Sequence, residues 1–228
     1  MNRIKAVIFD MDGLLLETER IALATFISTC KEFGFDPDLQ VYYQCIGTTS
    51  LVTKIILKDG YGDSFPADAI IQSWNRKSLE ETSNKPIPLK AGALNLLEYL
   101  EKERVRKVVV TSTRQESARK WLGNAEILHF FDFVLGGDQV LNGKPHPEIY
   151  LSACHRLNEE PPDCLALEDS DNGVLSAYKA GLVVIQIPDL VQPSINVRGL
   201  GHRIVKSLDE VETLLRRNDR EKQALTRD

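Results

Sequence analysis

The sequence predicts an α/β protein: a doubly wound parallel sheet with an α-helical module inserted after the first strand. Three observations carry this expectation. Five short runs are continuously apolar: Ala6-Val7-Ile8-Phe9, Val108-Val109-Val110-Thr111, Phe133-Val134-Leu135, Leu165-Ala166-Leu167 and Val183-Val184-Ile185-Gln186-Ile187. Runs without polar alternation suit strands covered on both faces, the habit of parallel sheets. Segments of helical periodicity separate the later runs, as right-handed βαβ crossovers require. Finally, most of the runs end in or near polar residues suited to chemistry, where open α/β sheets bind their ligands.

The first run stops at Asp10-Met11-Asp12-Gly13. From about Glu17 to Pro88 no strand is expected. This interval reads as four helices: 21–33, 39–46, 50–57 and 67–79. Breaks are expected at Gly34-Phe35-Asp36-Pro37, Gly47, Gly60-Tyr61-Gly62 and Pro66. Pro86-Ile87-Pro88 reads as a stiff hinge back to the sheet domain, since proline fixes φ and restricts its neighbour. Residues 1–16 and 88–228 are therefore assigned to the α/β core and 17–87 to the helical cap. The helices that follow show apolar stripes at Ala93-Leu94-Leu97-Leu100, Ala118-Trp121-Leu122, Ile149-Leu151-Ala153-Leu157 and Val174-Leu175-Tyr178-Ala180. Trp121 and Phe130, Phe131 and Phe133 read as core, and the charged tail from Arg216 to Asp228 as a frayed helix or disordered end.

Composition narrows the function. The chain has 228 residues, 43% hydrophobic and 27% charged, which fits an ordinary globular protein. Its formal net charge of −5 gives no footprint for nucleic acid or a membrane surface. The N-terminal apolar run is too short for a signal peptide, and no stretch approaches ~20 apolar residues. Cys30, Cys45, Cys154 and Cys164 form neither a CxxC pair nor a zinc spacing, so they read as reduced packing residues. The expected setting is the cytoplasm, with a monomer as the default.

The strand ends then carry the argument. Asp10 and Asp12 follow the first run. Thr111, Ser112 and Thr113 lie at the end of the second, Gly143-Lys144-Pro145 soon after the third, and Glu168-Asp169-Ser170-Asp171-Asn172-Gly173 after the fourth. One crevice would gather several carboxylates, hydroxyls and one lysine. Oxygen ligands clustered at one point are what Mg²⁺ requires, and without a cation they would repel one another. Hydroxyls, backbone N–H groups at a helix start and a lysine suit a phosphate. Taken alone, Asp10-Met11-Asp12-Gly13 could be a simple Asx turn, but Leu14 sits where an EF-hand loop would need an oxygen. Thr113 can serve as a helix N-cap while Thr111 faces phosphate, and Asp171 reads as a cap in preference to a residue behind the metal's ligands. His146 is expected to be structural at a helix start. His129, His155 and His202 are left as surface or packing residues.

In this order, the four segments resemble the motifs of the haloacid dehalogenase-like hydrolase superfamily. The likeness runs from Ile4 to about Pro188 and is strongest to the branch with an α-helical cap, which includes β-phosphoglucomutase and many sugar-phosphate phosphatases. The resemblance implies that Asp10 is the nucleophile, forming an aspartyl-phosphate, and that Asp12 is the general acid and base. It implies that Asp10, the Asp12 carbonyl and Asp169 hold Mg²⁺ with Glu168 beside it, and that Thr111, Ser112 and Lys144 grip the phosphoryl group. The cap is expected to read the rest of the substrate, with Arg76 or Lys77 as cationic contacts. β-Phosphoglucomutase has a cap histidine and a cap arginine at two places. Here Glu17-Thr18-Glu19-Arg20-Ile21-Ala22 lacks the histidine and Gly47-Thr48-Thr49-Ser50 the arginine. Both departures favour a phosphatase over the alternative, a phosphosugar mutase. Glu17 also replaces an aspartate more usual at that point. Dehalogenation is disfavoured by the presence of Asp12, and a receiver-type signalling domain by the length.

Overall fold

A computed structural model describes residues 4–46, 48 and 50–225. The chain divides into two compact units, Met1–Leu16 with Pro88–Asp228, and Glu17–Ile87.

The first unit is a six-stranded parallel sheet. Its strands are β1 (Ala6–Phe9), β2 (Arg106–Val110), β3 (Phe133–Leu135), β4 (Cys164–Glu168), β5 (Val183–Gln186) and β6 (Arg203–Ile204), in the order β3-β2-β1-β4-β5-β6. The five expected runs are all strands. β6 is an addition, because two exposed residues at an edge leave no apolar run to detect. β1 to β4 are buried along nearly their whole length. Ala6, Ile8, Val108, Val110 and Ala166 belong to a core shared with α7 (Glu148–Leu157) and α8 (Asp171–Lys179), while Val7, Phe9, Val109, Leu165 and Leu167 are equally inaccessible. Burial on both faces is why these strands lack alternation.

The helical stripes need adjustment. On α7 the inward residues are Ile149, Tyr150, Ala153, Cys154 and Leu157, and Leu151 is exposed. Tyr178 and Leu94 also point outward, and Trp121 and Phe130 are only half-buried. In each case a residue one place along the helix competes for the inward stripe, which a coarse apolar count does not separate. The remaining helices of this unit are α5 (Ala93–Lys102), α6 (Gln115–Asn124), the short α9 (Ile195–Arg198) and α10 (Leu208–Leu225). α10 extends through most of the charged tail, packing on α5 through its N-terminal half. Residues 226–228 of that tail lie outside the described residues. All four cysteines are free and buried.

The second unit holds α1 (Thr18–Glu32), α2 (Leu39–Cys45), α3 (Ser50–Tyr61) and α4 (Ala67–Asn84). Phe26, Tyr42 and Trp74 form its aromatic centre, with ring centroids 5.2 to 5.8 Å apart. The Trp74 indole N–H donates to the Ala22 carbonyl at 2.9 Å. Asp38 caps α2 by accepting from the backbone N–H groups of Gln40 and Val41. Beside the aromatic centre is a cavity of about 200 Å³, lined in part by Glu19, Tyr42, Thr48, Trp74 and Asn75. The expected break at Gly47 lies outside the described residues.

Gly60 does not break a helix, as the sequence suggested; α3 runs through it to Tyr61. A Cβ at position 60 would lie 2.4 Å from Val41 Cγ2, so the glycine is there for close helix approach. Alanine would gain about 1 kcal/mol of helix propensity. The buried valine is stiff at χ1 and cannot swing clear, so overpacking of about 1–3 kcal/mol wins. Gly60→Ala is expected to lower the thermal midpoint by several degrees, and Val41→Ala in the same chain to restore part of the loss. A midpoint at or above wild type would show that the contact relaxes freely.

Candidate active site

β1 is the central strand, flanked by β2 and β4. The chain adds β2 and β3 on one side and then returns to place β4 on the other. The carboxyl end of β1 is thus the topological switch point, where α/β sheets open a binding crevice. In register, Phe9 lies beside Val109 and Leu167, which sets Asp10 level with the end of β2 and with Glu168. The Asp10 N–H donates to the Leu167 carbonyl at 3.0 Å, continuing the ladder one residue past β1. A tight turn then reverses the chain, with the Leu15 and Leu16 N–H groups both donating to the Met11 carbonyl.

Lys144 reaches into this crevice. Its Nζ donates to Asp10 Oδ1 at 2.5 Å, to Glu168 Oε1 at 2.6 Å and to the Val110 carbonyl at 3.3 Å. Its side chain is 5% exposed and that of Glu168 0%. Burial works against the lysine charge, yet Asp10 and Glu168 outweigh it and hold the ammonium well above its ordinary range. Burial likewise pushes the Asp10 carboxyl well above the usual carboxylate range; Lys144 opposes this, and Glu168 and Asp12 add to it.

Asp10, Glu168 and Asp169 are all buried, and each offers a carboxylate oxygen within 4.8 Å of the others. A hard, all-oxygen set with a 5%-exposed lysine as neutralising partner fits Mg²⁺ rather than a thiophilic metal. Asp169 is placed by the end of β4, where the Ile187 N–H donates to the Glu168 carbonyl at 2.7 Å.

Asp12 is held differently. Thr111 Oγ1 donates to Asp12 Oδ2 at 2.8 Å, and Thr113 Oγ1 donates to the same oxygen at 2.9 Å. Thr111 was expected to face phosphate; its fully buried hydroxyl faces Asp12. Thr113 was expected to cap the following helix. The N-cap of α6 is instead Arg114, and the Gln115 N–H donates to Asp138 Oδ1 at 2.8 Å, while the Thr113 hydroxyl is engaged by Asp12. Ser112 stands exposed between them. Asp171 is not the cap of α8 either. Ser170 fills that position, accepting from the Gly173 N–H at 3.2 Å, while Asp171 accepts from the Ser194 N–H. Arg76 and Lys77 lie on α4 in the helical unit, Arg76 paired with Glu80 at 2.9 Å and Lys77 with Glu32 at 2.5 Å.

Three positioning groups were not anticipated. The Tyr150 hydroxyl donates to Glu168 Oε1 at 2.7 Å, and Lys144 Nζ lies 5.3 Å from the Tyr150 ring centre. The only sequence signal was its place six residues after Lys144. Gln186 donates through Nε2 to the Asp169 carbonyl at 3.2 Å, and its Oε1 is 2.8 Å from His202 Nε2. His202 thus packs with a hydrogen-bond partner, and burial lowers its pKa. Gly173 leaves room for the Glu168 carboxylate, since a Cβ there would fall 1.9 Å from it.

A family model described as haloacid dehalogenase-like hydrolase matches residues 7–187. A phosphorylated carbohydrates phosphatase of Thermotoga maritima is 29% identical over 187 residues, covering 78% of this chain and 82% of the relative. The fructose-1-phosphate phosphatase YqaB of Escherichia coli is 27% identical over 190 residues, covering 82% and 97%. The structure of CbbY from Rhodobacter sphaeroides, solved with phosphate, superimposes with a TM-score of 0.70 at 27% identity, covering 91% of this chain and 96% of that one. The chain belongs to the haloacid dehalogenase-like hydrolases, and it is an enzyme of that family's phosphatase class.

Proposed function

We propose that this enzyme is a Mg²⁺-dependent phosphomonoester hydrolase that acts on a small phosphorylated metabolite, a sugar phosphate in the first instance, through an aspartyl-phosphate. The observation that carries the reading is the meeting of Asp10, Lys144, Glu168 and Asp169 at the carboxyl ends of β1 and β4, with Asp12 alongside. Asp10, Asp169 and the Asp12 carbonyl would hold Mg²⁺, with Glu168 at its edge. When bound, the ion supplies neutralising charge and orients the phosphoryl oxygens.

In the first half-reaction an Asp10 carboxylate oxygen bonds to phosphorus as the phosphorus–alcohol bond breaks, and Asp12 gives its proton to the leaving oxygen. In the second, Asp12 takes a proton from water, whose oxygen bonds to phosphorus and frees Asp10. Lys144 offsets the charge on Asp10 and the phosphoryl oxygens, and Ser112 offers a backbone N–H. The phosphatases among the relatives, which act on phosphorylated carbohydrates and on fructose 1-phosphate by name, support the substrate class.

Phosphate release over a panel of metabolite phosphates in Mg²⁺ tests the reading, with β-glucose 1-phosphate plus glucose 1,6-bisphosphate included. Hydrolysis of sugar phosphates is expected. Clean isomerisation to glucose 6-phosphate would replace it with a mutase.

Metal addition gives a second test. A buried carboxyl raised above its unfolded value favours the proton-bound native state. This carboxyl's contribution to metal-free stability is therefore lost as pH climbs above about 4. Mg²⁺ requires the deprotonated carboxylates. The rise in thermal midpoint on replacing EDTA with Mg²⁺ should be larger at pH 8 than at pH 5. A shift independent of pH would place the ion elsewhere.

A further inference from the structure

We propose that Thr113 is a positioning residue for the acid–base step: its hydroxyl fixes Asp12 through Oδ2, leaving Oδ1 as the atom that gives and takes the proton. The inference rests on the aspartyl-phosphate reading and adds to it the oxygen of Asp12 that acts and the group that selects it.

The geometry is specific. A carboxyl oxygen has two lone-pair directions, and both on Oδ2 are taken, by Thr111 Oγ1 at 2.8 Å and Thr113 Oγ1 at 2.9 Å. Thr111 Oγ1 also accepts from the Thr113 N–H at 3.0 Å, so Asp12, Thr111 and Thr113 close a ring of hydrogen bonds. A proton carried by Asp12 must then sit on Oδ1. Thr113 stands one residue before the N-cap of α6, yet its hydroxyl goes to Asp12; the first N–H of the helix, that of Gln115, donates instead to Asp138 Oδ1 at 2.8 Å. The branched Cβ of Thr113 limits χ1, so the hydroxyl direction is set by the backbone at the end of β2. That backbone is anchored in turn, since the Gly137 N–H donates to the Thr113 carbonyl at 3.1 Å.

In the step served, the proton on Asp12 Oδ1 passes to the leaving oxygen as its bond to phosphorus breaks and the Asp10–phosphorus bond forms. The proton returns to Oδ1 from the water that later bonds to phosphorus. A loosened Asp12 harms the first transfer most when the leaving group is basic and needs the proton early.

The test compares kcat/KM for phenyl phosphate and 4-nitrophenyl phosphate, which are similar in size but differ in leaving-group basicity. Thr113→Val keeps shape and removes the hydroxyl; Thr113→Ser keeps the hydroxyl. Thr113→Val should lose about tenfold or more with phenyl phosphate and no more than about twofold with 4-nitrophenyl phosphate. Thr113→Ser should stay within about threefold of wild type on both. Equal losses on the two esters, or no loss on either, would overturn the assignment, as would Thr113→Ser behaving like Thr113→Val. Asp10→Asn run alongside separates the two levels of the account. If it abolishes turnover while Thr113→Val is flat, only the Thr113 role falls. If it keeps turnover, the aspartyl-phosphate reading falls and takes this role with it.

Discussion

Asp10→Asn is expected to lose phosphomonoester turnover by about 10⁴-fold or more while folding as well as wild type. An amide is too weak a nucleophile to bond to phosphorus, so the covalent route closes. The stability half of the prediction follows from burial, which pushes the Asp10 carboxyl well above its ordinary range. In the metal-free protein at neutral pH, a neutral amide removes a charge that the site disfavours. Urea denaturation in EDTA should give a midpoint at or above wild type, and the stabilisation by Mg²⁺ should shrink. A variant that retained turnover, or that unfolded much more easily, would show that Asp10 serves the fold rather than the chemistry.

Lys144→Met should damage both activity and stability. The ammonium contacts Asp10 Oδ1 and Glu168 Oε1 at 2.5 and 2.6 Å in an almost closed environment. Removing one partner of a buried ionic cluster leaves carboxylates unneutralised, at a cost of about 3–5 kcal/mol. The loss of charge at the phosphoryl group should lower kcat/KM by about 10²- to 10³-fold. The pH dependence has a definite sign. Without the lysine, which opposes the rise, Asp10 holds its proton still more tightly in the native state than in the unfolded chain. The deficit relative to wild type is then small near about pH 4, where both states are protonated, and grows toward neutrality. Urea unfolding in EDTA at pH 4.5 and pH 7.5 measures it. Adding Glu168→Gln should recover part of the neutral-pH loss, because a buried charge goes with it. An equal deficit at both pH values would assign Lys144 a packing role only.

The sheet was legible because its strands are buried on both faces, so each of five apolar runs marks a strand, and the ends of β1, β2 and β4 mark candidate site positions. β6 escaped because an exposed two-residue edge strand has no such run. Gly60 was misread for a different reason: glycine breaks a helix and also lets two helices touch, and only the neighbour at 2.4 Å tells the cases apart. The acidic members of the candidate site stand out in the sequence as carboxylates at strand ends, and Lys144 as a lysine in the loop that follows β3. Their mutual roles do not. That Thr113 turns away from its helix toward Asp12, or that Tyr150 rather than Leu151 faces the sheet and reaches Glu168, depends on side-chain direction. So does the link from Gln186 to Asp169, in which a single polar residue interrupts an apolar strand without revealing its partner.

The claim most exposed to direct test is that Asp10 itself carries the phosphoryl group. Wild-type enzyme mixed with excess 4-nitrophenyl phosphate and Mg²⁺ can be quenched in acid within one turnover, then treated with borohydride, which reduces an acyl phosphate to an alcohol. Peptide mass spectrometry should find residue 10 converted to homoserine, and no such product from Asp10→Asn or from enzyme quenched without substrate. Conversion at another carboxylate, or none at all while substrate is turning over, would contradict the account.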